Sequence, residues 1–188
     1  MSTLETFRQR KDQFFKKDPA SPLTPEQKDI FTGLDYYPYN PDLELELELE
    51  PFEEHKVVTM QTNTGDTAEY LRWGRLHFEV EGQPVELTVY AAVGGGGFFL
   101  PFMDATNGDE TYSGGRYLEI DPLPDGRFLV DFNMAYNPYC AYNDLWSCPI
   151  PPKQNRLKVP IRAGEKAFRP PDRGAESKPV QASSEQGG

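Results

Sequence analysis

The sequence predicts a mainly β protein: an antiparallel, barrel-like or strongly curved sheet of short strands, with two N-terminal helices and a disordered C-terminal tail. Three observations carry this. Eighteen prolines and sixteen glycines in 188 residues break the chain too often for long helices. A strict two-residue alternation runs from Leu43 to Glu50, leucines on one side and glutamates on the other, which is the period of a strand. Further short apolar runs recur downstream between turn signals at close spacing, the pattern of an antiparallel barrel or sandwich. Hydrophobic residues make up 37 %, and aromatics at 13 % compensate with large buried area.

The elements follow in order. Ser2 with Glu5 forms a capping box, and Leu4, Phe7, Phe14 and Phe15 mark one side of a helix ending near Lys17. Pro19 and Pro22 interrupt the chain. Thr24-Pro25-Glu26-Gln27 combines a Thr cap, proline at the first helical position and a reciprocal Gln. This second helix is short and ends by Gly33. The proline-rich run 36–41 is irregular. The Leu-Glu repeat is then a strand whose glutamates are solvated and guard an edge. Further strands are expected at 57–62, 70–73, 75–80, 85–93, 98–102, 116–120, 127–133 and 157–161. One domain spans residues 1–168, and the weakly apolar run 169–188 is the tail.

One hairpin is predicted at side-chain level. Pro124 and Gly126 suit the turn, and register places Ile120 opposite Val130, Leu118 opposite Phe132, Glu119 opposite Asp131 and Tyr117 opposite Asn133. Two facing carboxylates repel unless a cation, a shared proton or a basic neighbour intervenes; a strand carrying Arg156, Lys158 and Arg162 could supply that neighbour, with a general acid/base pair as the alternative reading.

The residues that bear on function crowd between Phe102 and Glu165. Asp104, Thr106, Thr111, Tyr112, Arg116, Asp131, Asn133 and Asn137 mix donors, acceptors and aromatic neighbours as a pocket with placed polar groups would. Gly114-Gly115 lets backbone approach a ligand, and Arg116 forks onto a carboxylate or phosphate, or clamps Asp104 or Asp131 internally. These eight residues are the expected ligand-binding set, for a small polar or anionic molecule. An enzyme with Asp131 or Asp104 as base, Arg116 as anion holder and Tyr112 or Cys140 assisting is the alternative. A structural or interaction role, with the polar residues bracing long loops, is the third.

Several classes are disfavoured. A net charge of −11 opposes nucleic acid and anionic membrane surfaces. No run approaches the ~20 apolar residues of a membrane helix, and no apolar leader is present, so a cytoplasmic protein is expected. No cofactor is expected. The two cysteines, Cys140 and Cys148, and the distant histidines, His55 and His77, do not make a metal site. The cysteines read as buried, reduced thiols among aromatics. No nucleophile elbow, zincin helix, phosphate loop or dinucleotide fingerprint occurs.

Long motifs carry a resemblance. Asp-x-Thr-x-Gly-x-x-Thr-Tyr-x-Gly-Gly-Arg-Tyr-Leu, Asp-Phe-Asn-x-Ala-Tyr-Asn-Pro-x-Cys-Ala-Tyr, Cys-Pro-x-Pro-Pro-x-x-Asn-Arg-Leu and Ala-Gly-Glu-Lys resemble an uncharacterised prokaryotic family, catalogued as domain of unknown function 1684. Gly33-Leu34-Asp35-Tyr36-Tyr37-Pro38 and Trp73-Gly74-Arg75-Leu76-His77-Phe78 extend the resemblance to about residues 8–168. It implies no activity. The Gly94–Gly97 run and the Leu-Glu repeat depart from the family pattern.

Overall fold

Helix α1 (Thr3–Lys17) begins at its predicted cap: Ser2 Oγ accepts the Glu5 N–H at 3.1 Å, and Glu5 accepts the Ser2 N–H at 2.8 Å. Helix α2 (Pro25–Ile30) repeats the box with Thr24 and Gln27. It stops at Ile30: the Phe31 N–H reaches Lys28 O at 3.3 Å, and Lys16 Nζ donates to the carbonyls of Lys28 and Phe31 at 2.5 and 3.2 Å, adding a side-chain donor at the helix end. Phe15 packs with Leu23, Phe31 and Tyr142. Phe7, on the same predicted apolar side, stays 40 % exposed, so α1 is only partly seated.

The computed structural model describes residues 1–170; the expected tail lies, from residue 171 on, outside them. Eight strands follow the helices: β1 (Glu44–Leu47), β2 (Glu50–Pro51), β3 (Val57–Gln61), β4 (Thr67–Val80), β5 (Gln83–Ala92), β6 (Phe98–Phe102), β7 (Arg116–Pro122) and β8 (Phe128–Asp131). Every ladder is antiparallel, in the order β1-β8-β7-β6-β5-β4-β2, with β3 also on β4. The two ends of that order, β1 and β2, are consecutive in the chain. The Leu-Glu segment therefore pairs with β8 through its first half and with β4 through Glu50 and Pro51, which draws the sheet into a curl. Its leucines point inward against a core that includes Leu76, Leu87, Leu100, Val130 and Phe132. Its glutamates face out: Glu46 pairs with Arg127 at 2.7 Å and Glu50 contacts His77 at 3.0 Å. Exposed pairs of this kind contribute about 1 kcal/mol or less, so the buried leucines set the register.

Three expectations are corrected. Segments 70–73 and 75–80 are one strand, β4, with its register shift between Arg72 and Gly74. A Cβ on Gly74 would lie 2.6 Å from the Glu50 carbonyl, so glycine there admits the crossing β2 rather than ending a strand. Strand β8 ends at Asp131, whose carboxylate accepts the Asn133 N–H at 3.0 Å and opens the 3-10 turn Phe132–Met134. The β7–β8 pairs Asp121↔Leu129 and Pro122↔Phe128 have the predicted register. The ladder stops before Glu119 and Asp131, and after the turn Tyr117 meets Tyr136, not Asn133. Glu119 instead accepts the Tyr136 hydroxyl, and Asp131 lies opposite Glu44.

The third correction is that 157–161 is not a strand but part of an irregular strap. Leu157 N–H donates to Met103 O at 2.8 Å and Ala105 N–H to Val159 O at 3.0 Å. Pro160 has no N–H with which to continue a ladder. The basic face expected beside Glu119 and Asp131 is therefore not formed by this segment.

The strap also repairs the sheet. The β5–β6 ladder covers only Tyr90↔Phe99 and Ala91↔Phe98. Further along, Thr88 comes opposite Pro101, which has no N–H to donate. Asn155, fully buried, fills this place: its Nδ2 donates to Thr88 O and Pro101 O, both at 2.8 Å, and its Oδ1 accepts the Thr88 N–H at 2.8 Å. Asn155→Leu is expected to lower the free energy of unfolding by about 3 kcal/mol, because three buried backbone groups lose partners. Urea unfolding, through a lowered midpoint, checks this.

Candidate functional site

The loop after β6 is drawn together around Asp104. Its carboxylate accepts Thr106 Oγ1 at 2.9 and 3.0 Å and the Ile161 N–H at 2.6 Å, and Arg116 Nη2 stands 3.5 Å away. Thr111 Oγ1 lies 3.0 Å from Thr106 Oγ1. Arg116, 1 % exposed, opens β7 and reaches across to the strap. Its Nη1 donates to Ala163 O at 2.5 Å and Glu165 O at 3.2 Å, and its Nη2 to Ile161 O at 2.7 Å. Burial pushes the guanidinium pKa down, and the Asp104 carboxylate opposes that shift. Gly115, at φ +87°, belongs to the same arrangement. A Cβ there would lie 2.8 Å from Phe102 O and 2.7 Å from Pro151 Cγ, so the close backbone approach is to the protein's own chain.

Glu165 is the second node. It is buried, accepts the Asn137 N–H at 2.7 Å and the Tyr142 hydroxyl at 3.1 Å, and forms an ion pair with Lys11 of α1. Asn137 Nδ2 donates to Lys166 O at 2.9 Å. Asn133 acts elsewhere, exchanging bonds with the Asn40 backbone at 2.8 and 2.9 Å while its Nδ2 also donates to Asp131. Tyr112 turns its hydroxyl to Cys140 at 3.5 Å. Of the eight expected residues, Asp104, Thr106, Thr111, Arg116 and Asn137 thus gather on the strap. Asp131 and Asn133 hold the segment before β1, and Tyr112 joins the cysteines. Sequence reasoning did not single out Lys11, Asn155 or Glu165. The latter two stood only within the motifs Asn-Arg-Leu and Ala-Gly-Glu-Lys, with no local periodicity to mark them.

A groove lies between α1 and the outer side of β7 and β8. It encloses about 750 Å³, within the few hundred to 1,000 Å³ usual for small-molecule sites. Phe7 and Phe14 form its helix wall, and Leu129, Met134 and Tyr136 its floor. Glu119, Asp121 and Asp131 line the sheet side, and Arg10 and Lys11 the helix side. Lys11 Nζ stands 5.0 Å over the Tyr136 ring while bound to Glu165. Among the described residues, Arg10 and Asp121 make no ion pair. A second cleft of about 490 Å³ shares Phe7, Asp131 and Met134 and extends the groove towards Tyr39 and Glu44.

The model of the family described as "Protein of unknown function (DUF1684)" matches residues 29–166. The chain belongs to this family. The DUF1684 match covers both polar nodes and the strap but not α1, which supplies one wall of the groove. A solution NMR structure of an uncharacterised protein from Haloarcula marismortui is 38 % identical, covering 87 % of this chain and 91 % of that one, with a TM-score of 0.66. No curated protein matches the chain.

Proposed function

We propose that this DUF1684 protein is a small-ligand-binding β domain whose site is the groove between α1 and β7–β8. The observation that carries the reading is the partial seating of α1: Phe7 remains 40 % exposed beside an apolar floor rimmed by unpaired charges. The ligand that fits is amphipathic, with an apolar body on Phe7, Phe14, Leu129 and Met134 and a basic head towards Glu119, Asp121 and Asp131. The net charge of −11 favours approach of a cation. An anion held by Arg116 draws less support, since the Nη groups of Arg116 already serve main-chain carbonyls. A catalytic base at Asp104 draws little, since that carboxylate is bound by Thr106, Ile161 and Arg116.

Calorimetric titration with octylamine and with octanoate tests the proposal. Octylamine is expected to bind, about threefold more weakly in Asp121→Asn and at high salt, and not at all in Leu129→Arg, which fills the groove. Binding of octanoate alone would move the site to Arg10 and restore an anionic ligand. Binding of neither, or unchanged binding in Leu129→Arg, overturns the groove.

A further inference from the structure

Where the strap ends, a smaller cavity opens that shares no lining residue with the groove. It encloses about 250 Å³ between Asp35, Asp109, Glu110, Lys166, Ala167 and Arg169. Three distant stretches of chain build it, and backbone bonds join them. The Lys166 N–H donates to Asp35 O at 2.8 Å, and the Ala167 N–H to Glu110 O at 3.0 Å. Arg169 Nη2 donates to Asp109 O at 3.1 Å. The loop on the far wall is itself closed, with the Asp109 and Glu110 N–H groups on Thr106 O at 3.2 and 3.0 Å. The cavity is thus framed by main chain, as pre-formed sites are.

Every lining residue except Ala167 is charged, and one of these charges is answered inside the protein. Glu110 accepts Arg162 Nη2 at 3.2 Å and the Tyr37 hydroxyl at 3.1 Å. The Arg162 hydrogen bond holds its carboxyl below the usual range. Among the described residues, Asp35, Asp109, Lys166 and Arg169 make no ion pair. The Lys166 ammonium stands instead 5.4 Å over the Tyr37 ring, a cation–π distance. Unpaired charges scattered over open surface need no partner, since water solvates them and pairing gains little. Here two cations and two anions share the wall of one cavity. An ion of either sign would meet two like charges there, and like charges brought together are penalised. A molecule carrying both signs can set each against its opposite.

We propose that this cavity binds a small zwitterion of the class of free α-amino acids. Its carboxylate lies towards Lys166 and Arg169, and its ammonium towards Asp35 and Asp109. Charge-assisted hydrogen bonds of this kind are the strong ones. The volume falls below the ~300–1,000 Å³ of drug-sized sites, and Ala167 supplies the apolar lining, so the amino acid is one with a small side chain. A zwitterion has no net charge, so the chain's −11 does not repel it as it repels an anion.

The test titrates the ¹⁵N-labelled full chain with glycine, with acetate and with methylamine, and follows amide chemical shifts. Glycine is expected to move the Asp109, Glu110, Lys166 and Ala167 signals saturably, whereas neither acetate nor methylamine moves them at the same concentration. Asp35→Asn and Lys166→Gln are each expected to weaken glycine binding about tenfold. Among the described residues neither side chain makes a hydrogen bond, so both variants keep the fold. Equal shifts with acetate would make this a plain anion site, and equal shifts with methylamine a plain cation site. Either result overturns the proposal, as do unsaturable glycine shifts or unchanged glycine binding in both variants.

Discussion

Arg116→Ala is expected to lower the free energy of unfolding by about 3–5 kcal/mol, a large share of the ~5–15 kcal/mol typical of a folded domain. The substitution leaves the carbonyls of Ile161, Ala163 and Glu165 without their donors and removes the cation beside Asp104. The distances say which loss dominates. The contacts to Ala163 and Ile161 are 2.5 and 2.7 Å, against 3.5 Å to Asp104, so the guanidinium is chiefly a clamp on main chain. In a double-mutant cycle, the Arg116–Asp104 coupling is accordingly smaller than the cost of Arg116→Ala alone. Arg116→Lys keeps the charge but not the planar fork that serves carbonyls in different directions, and recovers only a minor part. Urea unfolding of the wild type and of each of these variants is the measurement. An unchanged midpoint in Arg116→Ala would show that the arginine is free for another partner.

Glu165→Ala is expected to cost about 3 kcal/mol, and to do so unevenly. The Glu165 side chain ties the strap to α1 through Lys11 and to the segment after β8 through Asn137 and Tyr142. Without it, the Lys11 ammonium, 18 % exposed, loses its counter-ion and the Asn137 N–H and Tyr142 hydroxyl lose their acceptor. The sheet core around Leu76, Leu87 and Val130 is untouched. Hydrogen exchange should show α1 amides losing protection while those of β5 keep most of theirs. Uniform loss across both would mean that the helix and the sheet open as one unit.

What the sequence revealed and what it concealed differ in range. The caps at Ser2 and Thr24, the inward leucines and the β7–β8 register rest on neighbours a few residues apart, and each was legible. Segment 157–161 looked like a strand because Leu157, Val159 and Ile161 alternate. Its partners are an aspartate side chain, an arginine fork and scattered loop amides, none of which leaves a periodic trace. Asn155 was invisible for the same reason: its role follows from Pro101 lying opposite Thr88, a pairing known only once β5 and β6 are aligned. Of the eight polar residues expected together, Asp104, Thr106, Thr111, Arg116 and Asn137 gather on the strap, whereas Tyr112, Asp131 and Asn133 do not, because their partners at Cys140 and Asn40 lie elsewhere in the fold. The groove was not legible, because Phe7 and Phe14 carry the pattern of a fully seated helix face, and only the docked helix shows the space left beneath them.

The strap also sets an order of events during synthesis. The contacts that Asp104 and Arg116 make with Ile161, Ala163 and Glu165 span 57, 45, 47 and 49 residues, and Asn155 reaches back 67 to Thr88. Distant closures of this kind slow folding. On the ribosome, β5, β6 and β7 emerge well before the residues that complete them. The nascent sheet therefore waits, with the Thr88 and Pro101 carbonyls unmet, and locks only once residues 155–165 have been made.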